Sequence, residues 1–221
     1  MTAGGAPAFA SVVLDVDSTL CGIEGIDWLA EKRGEAVALQ VAEQTDKAMR
    51  GEIPLEDVYG ARLDLARPSA ADISELARAY DISLAPGARD AITAWRASGI
   101  RVLLVSGGIR QAILPVAASL GIPDEDVHAV MIHLSPGGSY AGFDAASTLA
   151  TATGKRDVLA RLSLPRPTIA VGDGVTDLAM REHADVFCAF TGFGERTSVT
   201  GQADVTAGTF AELSRLVLAA P

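Results

Sequence analysis

Basic residues are scarce in this chain of 221 residues. Lysine and arginine together number 18 against 28 acidic residues, which gives a formal net charge of −10 and a sequence pI near 4.7. Because nucleic-acid phosphates need a basic surface, this balance argues against a nucleic-acid partner. Long apolar runs are missing as well, since none approaches the ~20 residues that cross a bilayer. We therefore expect no membrane span.

Cysteine and histidine are also rare. The two cysteines, Cys21 and Cys188, lie far apart in the sequence, which suits buried thiols in a reducing compartment better than a disulfide framework. The three histidines fall in no metal-ligand spacing, and no Gly-Lys-Ser/Thr loop is present, which argues against zinc sites and nucleotide-dependent kinase chemistry. The first ten residues lack the positive and apolar regions of a signal peptide. We therefore expect a cytoplasmic protein.

Hydrophobic residues, by contrast, are abundant at 49% of the chain. A sequence of this length and composition can bury a substantial core and predicts one domain that can carry an insertion. Apolar strand-like runs alternate with helical patterns after Pro86, whereas residues 23–81 show only helical periodicity, over 27–40, 42–50 and 71–80. The pattern predicts an α/β protein with a central parallel sheet and a helical insertion after the first strand.

Two carboxylates follow the first predicted strand. Asp15 and Asp17 come directly after the apolar run Val12-Val13-Leu14, which is typical of a strand buried on both faces. In open parallel sheets, chemistry gathers at the carboxyl ends of such strands. Two carboxylates at this spacing repel each other, so we expect a cation or a shared proton beside them. Taken alone, the motif fits equally well a strand-to-loop junction at which an aspartate caps a helix.

Polar residues also follow two later predicted strands. The run 101–105 opens onto Ser106-Gly107-Gly108, and the run 168–171 opens onto Gly172-Asp173-Gly174-Val175-Thr176-Asp177. Between them Lys155 stands at the start of a helical pattern, and it is one of only three lysines against fifteen arginines. Alone, this lysine fits a solvated surface charge. In this company it is a candidate site residue.

Together and in this order, the four segments resemble the signature of the haloacid dehalogenase superfamily of phosphohydrolases. The matching residues are Asp15, Asp17 and Thr19, then Ser106, then Lys155, and last Asp173 and Asp177. The resemblance implies a Rossmann-like parallel sheet core at 1–22 and 83–221, an inserted helical cap at 23–82, and a small β-hairpin flap. The turn signal Ser135-Pro136-Gly137-Gly138 predicts that hairpin over Val127–Phe143.

In this superfamily a carboxylate attacks the phosphorus of a phosphate monoester, and the resemblance implies that role for Asp15. Attack on a dianion needs offsetting positive charge, which Mg²⁺ supplies through hard oxygen ligands. The implied ligands are the side chains of Asp15 and Asp173 and the backbone carbonyl of Asp17, with Asp177 holding the bound waters. The carboxyl group of Asp17 would protonate the leaving alkoxide and later activate water.

The resemblance also implies a phosphate-binding group of residues. Ser106, Lys155 and the N–H of Gly107 would bind the phosphoryl oxygens as their charge redistributes. Thr176 stands where other members have asparagine, and its hydroxyl can still hydrogen-bond the phosphate or Ser106. No histidine is required for this chemistry.

Over residues 12–216 the resemblance narrows to the phosphoserine phosphatase family. The segments that carry it include Glu24-Gly25-Ile26-Asp27, Ala48-Met49-Arg50-Gly51, Ala61-Arg62-Leu63 and Tyr140-Ala141-Gly142-Phe143-Asp144. In that family a cap glutamate holds the substrate ammonium and a cap arginine holds its carboxylate, roles that carry over to Glu24 and Arg62. Leu55 replaces a frequent phenylalanine and Ile23 a frequent glutamate, so the cap pocket is altered.

We therefore expect Mg²⁺-dependent hydrolysis of L-phosphoserine to L-serine and phosphate, a step of L-serine biosynthesis, with a phosphorylated amino acid as the small-molecule partner. A phosphotransferase that uses homoserine or another alcohol as acceptor shares every motif, and the altered cap pocket leaves room for another small phosphate ester. A non-catalytic binding member is disfavoured, because Asp15, Asp17 and Asp173 are all present. The sequence leaves the oligomeric state open.

Overall fold

A parallel β-sheet organises the fold, because each short apolar run can be buried on both faces. The structure is a computed structural model that describes residues 8–50 and 52–218. Its six parallel strands are, in spatial order, β3 (Val127–Val130), β2 (Arg101–Ile109), β1 (Ser11–Leu14), β6 (Thr168–Gly172), β7 (Val186–Phe190) and β8 (Val205–Ala207). The predicted α/β fold with a parallel sheet is confirmed. Residues 1–7 and 219–221 at the two ends of the predicted core lie outside the described residues. So does Gly51, the last residue of the segment Ala48-Met49-Arg50-Gly51 that resembles the family.

Four helices follow β1 in the chain and lie within the predicted insertion 23–82. They are α1 (Gly25–Glu31), α2 (Glu35–Met49), α3 (Leu55–Ala66) and α4 (Ala70–Ile82). The periodicity over 27–40 predicts one helix, but α1 ends at Glu31 and α2 begins after Gly34, which has φ 102°. That conformation suits glycine and turns the chain. α2 then runs through the gap predicted between residues 40 and 42.

The remaining helices alternate with the later strands. They are α5 (Ala88–Ala97), α6 (Arg110–Ser119), α7 (Gly154–Arg161), α8 (Val175–Leu178), α9 (Thr197–Thr200) and α10 (Phe210–Leu218). Trp95 of α5 and Phe210 of α10 are fully buried and stack with ring centroids 6.1 Å apart. Cys21 and Cys188 are buried free thiols, and burial raises the pKa of each. Within 8–50 and 52–218, no helix is both long and apolar enough to cross a membrane.

A two-stranded antiparallel hairpin joins β4 (Ile132–Leu134) to β5 (Tyr140–Phe143). The predicted hairpin segment began earlier, at Val127, but residues 127–130 form β3 and pair with β2 at the edge of the main sheet. Phe143 packs against Tyr59 of α3, with ring centroids 5.3 Å apart. The hairpin therefore contacts the inserted helices.

The central strands bring their following residues to one edge of the sheet. β1 lies between β2 and β6, and Leu14 is opposite both Leu104 and Val171. Leu104, Leu14 and Val171 thus form one row across three strands that run in the same direction. One or two residues beyond this row lie Asp15, Ser106 and Asp173. This is the edge at which open parallel sheets bind ligands.

Candidate active site

One pocket lies between this edge of the sheet and helices α1 and α3. Every site residue predicted from the sequence lines it except Asp177: Asp15, Asp17, Glu24, Arg62, Ser106, Gly107, Lys155, Asp173 and Thr176. Ile26, Leu55 and Leu149 add apolar walls. The fold therefore brings the four motif segments and the two cap residues to one place.

A cluster of three buried carboxylates forms the floor of the site. Asp15, Asp173 and Asp177 each offer a carboxylate oxygen, and these oxygens lie within 4.8 Å of one another. The backbone N–H groups of Asp173 and Gly174 donate to Oδ2 of Asp177, at 3.1 and 2.9 Å. The Nζ of Lys155 lies 2.6 Å from Oδ1 of Asp15 and 2.5 Å from Oδ1 of Asp177. One buried ammonium therefore contacts two of the three carboxylates, and its single charge leaves the cluster with excess negative charge.

The oxygens of this cluster fit a hard divalent cation such as Mg²⁺, which prefers carboxylate ligands. Oδ1 of Asp15 is buried, and no donor among the described residues makes an aligned hydrogen bond to it, although Nζ of Lys155 is close. The Lys155 ammonium is shared between this oxygen and Asp177, so a further cation would offset the negative charge that remains on the three carboxylates. Asp173 is oriented by the hydroxyl of Thr19, which donates to Oδ1 at 3.2 Å, while Nη1 of Arg196 contacts its Oδ2.

Burial and mutual repulsion shift the pKa values in the site. Burial, together with the nearby Asp177 carboxylate, raises the pKa of Asp15 to about 7. Burial, then the charges of Glu24 and Asp15, raises the pKa of Asp17 well above its ordinary value. Burial lowers the pKa of Lys155, but the Asp15 and Asp177 carboxylates outweigh it and raise that pKa overall. These acids need added positive charge to be ionised together.

The carboxyl group of Asp17 is held mainly through one oxygen. Its Oδ1 accepts hydrogen bonds from the Tyr80 hydroxyl at 2.6 Å and from the Gly25 N–H at 3.2 Å. Its Oδ2 lies towards the glycine turn that follows Ser106, since a Cβ built on Gly108 would be 3.2 Å from it. Asp17 therefore links the first turn of α1 to the turn in β2.

The end of β2, where the pairing with β3 becomes irregular after Val105, is tied to the inserted helices. Oγ of Ser106 is buried and accepts a hydrogen bond from the Gly108 N–H at 3.0 Å, so its hydroxyl hydrogen can be donated to an anion. The hydroxyl of Tyr59 on α3 donates to the carbonyl of Gly107 at 2.6 Å. The wall that is predicted to bind phosphate thus contacts the helix that carries Arg62.

Glu24 and Arg62 place opposite charges on the helical side of the pocket. Arg62 is only 3% exposed; its Nη2 lies 3.3 Å from Oδ1 of Asp27, and its Nε has no hydrogen-bond partner within the described chain. Glu24 accepts a hydrogen bond from the Ser18 hydroxyl at 2.7 Å, and burial raises its pKa. A ligand that carries both an anion and a cation would complement this wall.

Comparison with known proteins identifies the family. The family model of haloacid dehalogenase-like hydrolases matches residues 12–182. A chloroplastic phosphoserine phosphatase of Arabidopsis thaliana is 40% identical over 199 residues, covering 88% of this chain and 67% of the relative. The phosphoserine phosphatase of Rattus norvegicus is 36% identical over 206 residues, covering 92% of this chain and 91% of the relative. The chain belongs to the phosphoserine phosphatase family of haloacid dehalogenase-like hydrolases.

The structural comparison agrees. A phosphoserine phosphohydrolase-like protein from Francisella tularensis superposes with a TM-score of 0.83 at 28% identity, over 94% of this chain and 99% of that one. The family and the fold class predicted from the sequence are therefore confirmed.

Three residues that line the site or contact its side chains were not predicted from the sequence: Tyr59, Tyr80 and Arg196. The two tyrosines lie in helical runs, where an aromatic residue is usually part of the packing. Tyr59 precedes Arg62 by three residues, and that spacing places both on one face of α3 and would have been a usable signal. Tyr80 and Arg196 depend on how distant segments meet, so no local pattern marks them.

Proposed function

We propose that the protein is a Mg²⁺-dependent phosphatase that hydrolyses L-phosphoserine to L-serine and inorganic phosphate. One observation carries the proposal: Arg62, which is buried on α3, and Glu24, which is half-buried at the start of α1, line the same pocket as the four core motifs. The core motifs supply phosphoryl chemistry, and the charged pair suits the carboxylate and ammonium of an amino acid. The names of the curated relatives support the same substrate.

In the first half of the reaction, a carboxylate oxygen of Asp15 attacks phosphorus and the bond between phosphorus and the serine oxygen breaks. The carboxyl group of Asp17 gives its proton to the departing oxygen, so serine leaves as an alcohol. This proton transfer suits the raised pKa of Asp17, because a carboxylic acid must hold its proton near neutral pH to donate it. The product on the enzyme is the phosphorylated carboxylate of Asp15.

In the second half, Asp17 accepts a proton from a water molecule as that water attacks phosphorus. The bond between phosphorus and Asp15 breaks, which releases phosphate and restores the carboxylate. Lys155, Ser106 and the N–H of Gly107 bind the phosphoryl oxygens through both halves. The position of Lys155, 2.6 Å from Asp15, suits it to offset the charge of the nucleophile and of the phosphate.

The residues that would hold Mg²⁺ are the side chains of Asp15 and Asp173 and the backbone carbonyl of Asp17. Asp177 would orient the remaining ligands, since its own carboxylate is fixed by backbone N–H groups. When bound, the ion offsets the negative charge of nucleophile and phosphate as they approach each other. Thr176 lines the pocket and would bind phosphate or Ser106.

Substrate selection is assigned to the inserted helices. We assign residues 23–82 to a cap and residues 1–22 and 83–221 to the catalytic core. Arg62 would bind the substrate carboxylate as a guanidinium fork, and Glu24 would bind the ammonium. The reaction would belong to L-serine synthesis in the cytoplasm, where the thiols of Cys21 and Cys188 stay reduced.

The test is release of phosphate from L-phosphoserine by the purified protein with Mg²⁺, compared with phosphothreonine and p-nitrophenyl phosphate. We expect a strong preference for phosphoserine that disappears in Asp15→Asn, which keeps the size of the side chain and removes the nucleophilic oxygen. Turnover of the aryl phosphate alone would reject the substrate. Formation of phosphohomoserine when homoserine is added would instead identify a phosphotransferase.

A further inference from the structure

We propose that Tyr80 is a positioning residue for Asp17. Its hydroxyl donates a hydrogen bond to Oδ1 of Asp17, so that Oδ2 of Asp17 carries the proton that is exchanged with the substrate. The inference rests on the proposed function, because it concerns the acid and base step of that reaction. It adds a residue from α4 that does not line the pocket.

The hydrogen bonds on Oδ1 decide which oxygen is free. The Tyr80 hydroxyl and the Gly25 N–H both donate to Oδ1 of Asp17, at 2.6 and 3.2 Å. A carboxyl oxygen has two lone pairs, so a proton on Oδ1 would displace one of these donors or make the Tyr80 hydroxyl turn and accept, whereas a proton on Oδ2 keeps both hydrogen bonds. When Asp17 is protonated, the proton therefore sits on Oδ2.

Oδ2 is also the oxygen on the side of Ser106. A Cβ built on Gly108 would stand 3.2 Å from Oδ2 of Asp17 and 3.2 Å from Oγ of Ser106. Oδ2 is thus next to the turn assigned to phosphate binding, while Oδ1 points to α1 and α4. The Tyr80 contact therefore selects the oxygen on the productive side.

The hydrogen bond from Tyr80 to Asp17 requires a residue without a side chain at position 25, which is Gly25. A Cβ on that residue would be only 2.1 Å from the Tyr80 hydroxyl oxygen and 3.1 Å from Cζ of the same ring. A methyl group there would displace the hydroxyl, so a side chain at position 25 and the bond from Tyr80 to Asp17 exclude each other. Gly25→Ala consequently perturbs the contact without removing the tyrosine.

The segments that carry Asp17 and Tyr80 are tied to each other directly. Just after Asp17, the Gly22 N–H donates to the Ser83 carbonyl at 2.9 Å, and Cys21 Sγ lies 3.4 Å from the carbonyl oxygen of Tyr80. Tyr80 is in the last turn of α4, next to this junction. These contacts hold the end of α4 beside the segment that follows Asp17, which places the Tyr80 hydroxyl within reach of its carboxyl group.

The test compares two leaving groups in Tyr80→Phe, using kcat/KM, which reports the steps up to the phosphorylated enzyme. Serine leaves as a strongly basic alkoxide that needs the proton, whereas p-nitrophenolate leaves without one. A positioned acid contributes about 10²- to 10⁴-fold, so we expect a loss of about 10- to 100-fold for phosphoserine and under about threefold for p-nitrophenyl phosphate. Tyr140→Phe, which removes another buried tyrosine hydroxyl outside the pocket, should change neither value.

Two further variants separate positioning from folding. Gly25→Ala should reproduce the selective loss of kcat/KM for phosphoserine. A variant that combines Tyr80→Phe with Gly25→Ala should lose no more than the larger of the two single losses, because both substitutions act on one contact. Equal losses on the two substrates, or no loss on phosphoserine, would overturn the role of Tyr80. Wild-type turnover of phosphoserine tests the proposed function separately. If another alkyl phosphate proves to be the substrate, the same alkyl-to-aryl comparison is made with it.

Discussion

Truncation of Arg62 is the sharpest test of the proposal that this residue binds the substrate carboxylate. The guanidinium is buried, lines the pocket and has an Nε without a partner in the described chain. Arg62→Ala removes this donor group and leaves the core motifs untouched. Asp27, which loses the arginine, keeps the hydrogen bond from the Thr45 hydroxyl at 2.5 Å, so we expect the variant to fold.

The expected loss follows from the number and kind of hydrogen bonds. A hydrogen bond to a charged group contributes about 1.5–3 kcal/mol, and each 1.4 kcal/mol corresponds to about tenfold in an equilibrium or rate ratio. One lost contact between Arg62 and a carboxylate should therefore lower kcat/KM for phosphoserine by about 10- to 150-fold. Most of the loss should fall on KM if the contact is equally strong in the ground and transition states.

The assay uses phosphoethanolamine beside phosphoserine, because it has the phosphate and ammonium but no carboxylate. In the wild type, phosphoserine should be the better substrate, and in Arg62→Ala the two should become similar. Arg50→Ala serves as the matched control, since Arg50 is an exposed cap arginine paired with Glu52 on the surface. A loss on phosphoethanolamine as large as that on phosphoserine would refute carboxylate recognition by Arg62.

Three further predictions concern the metal, the phosphate and the cap. Mg²⁺ at about 100 times its Kd should raise the unfolding free energy by about 2.7 kcal/mol; thermal denaturation should show no such rise in Asp173→Asn, and an undiminished rise would contradict that ligand. Lys155→Met should slow phosphoserine and aryl phosphate alike in steady-state kinetics, and a loss confined to phosphoserine would refute phosphate binding. Asp72→Ala removes the capping box with Ser69, which should cost about 0.5–2 kcal/mol at pH 7. Burial raises the Asp72 pKa, but hydrogen bonds from Ser69 and Arg33 outweigh it and hold that pKa at about 2, against 3.8 ordinarily. The Asp72 contribution should therefore fade as the pH falls below 3.8 towards 2, and a difference in urea denaturation midpoints as large at pH 2 as at pH 7 would contradict it.

Much of the site was predictable because its chemistry is local in sequence. Asp15 and Asp17 follow directly on a β-branched run, and Ser106 and Asp173 follow similar runs, so their place at the sheet edge follows from strand direction alone. Glu24 and Arg62 needed the family resemblance, since each alone fits an ordinary helix residue. The pocket nevertheless contains both of them.

Element boundaries were predicted less well. Helical periodicity continued past Glu31, where a backbone turn at Gly34 separates α1 from α2. Val127–Val130 has the composition of a hairpin strand, yet its backbone pairs with β2. Both errors have one cause: a residue pattern describes which face is buried, and not which neighbour buries it.

The sequence by itself determined the strand-end carboxylates, the serine and glycines that follow the apolar run of β2, and the family, because these depend on residue type and order. Only the tertiary structure decided the contacts that join distant segments: Tyr80 on Asp17, Tyr59 on the carbonyl of Gly107, and Arg196 on Asp173. A hydrogen bond is made only when two groups meet at about 3 Å with the right orientation. For groups separated by tens of residues, that meeting is set by how the helices and loops pack on the sheet.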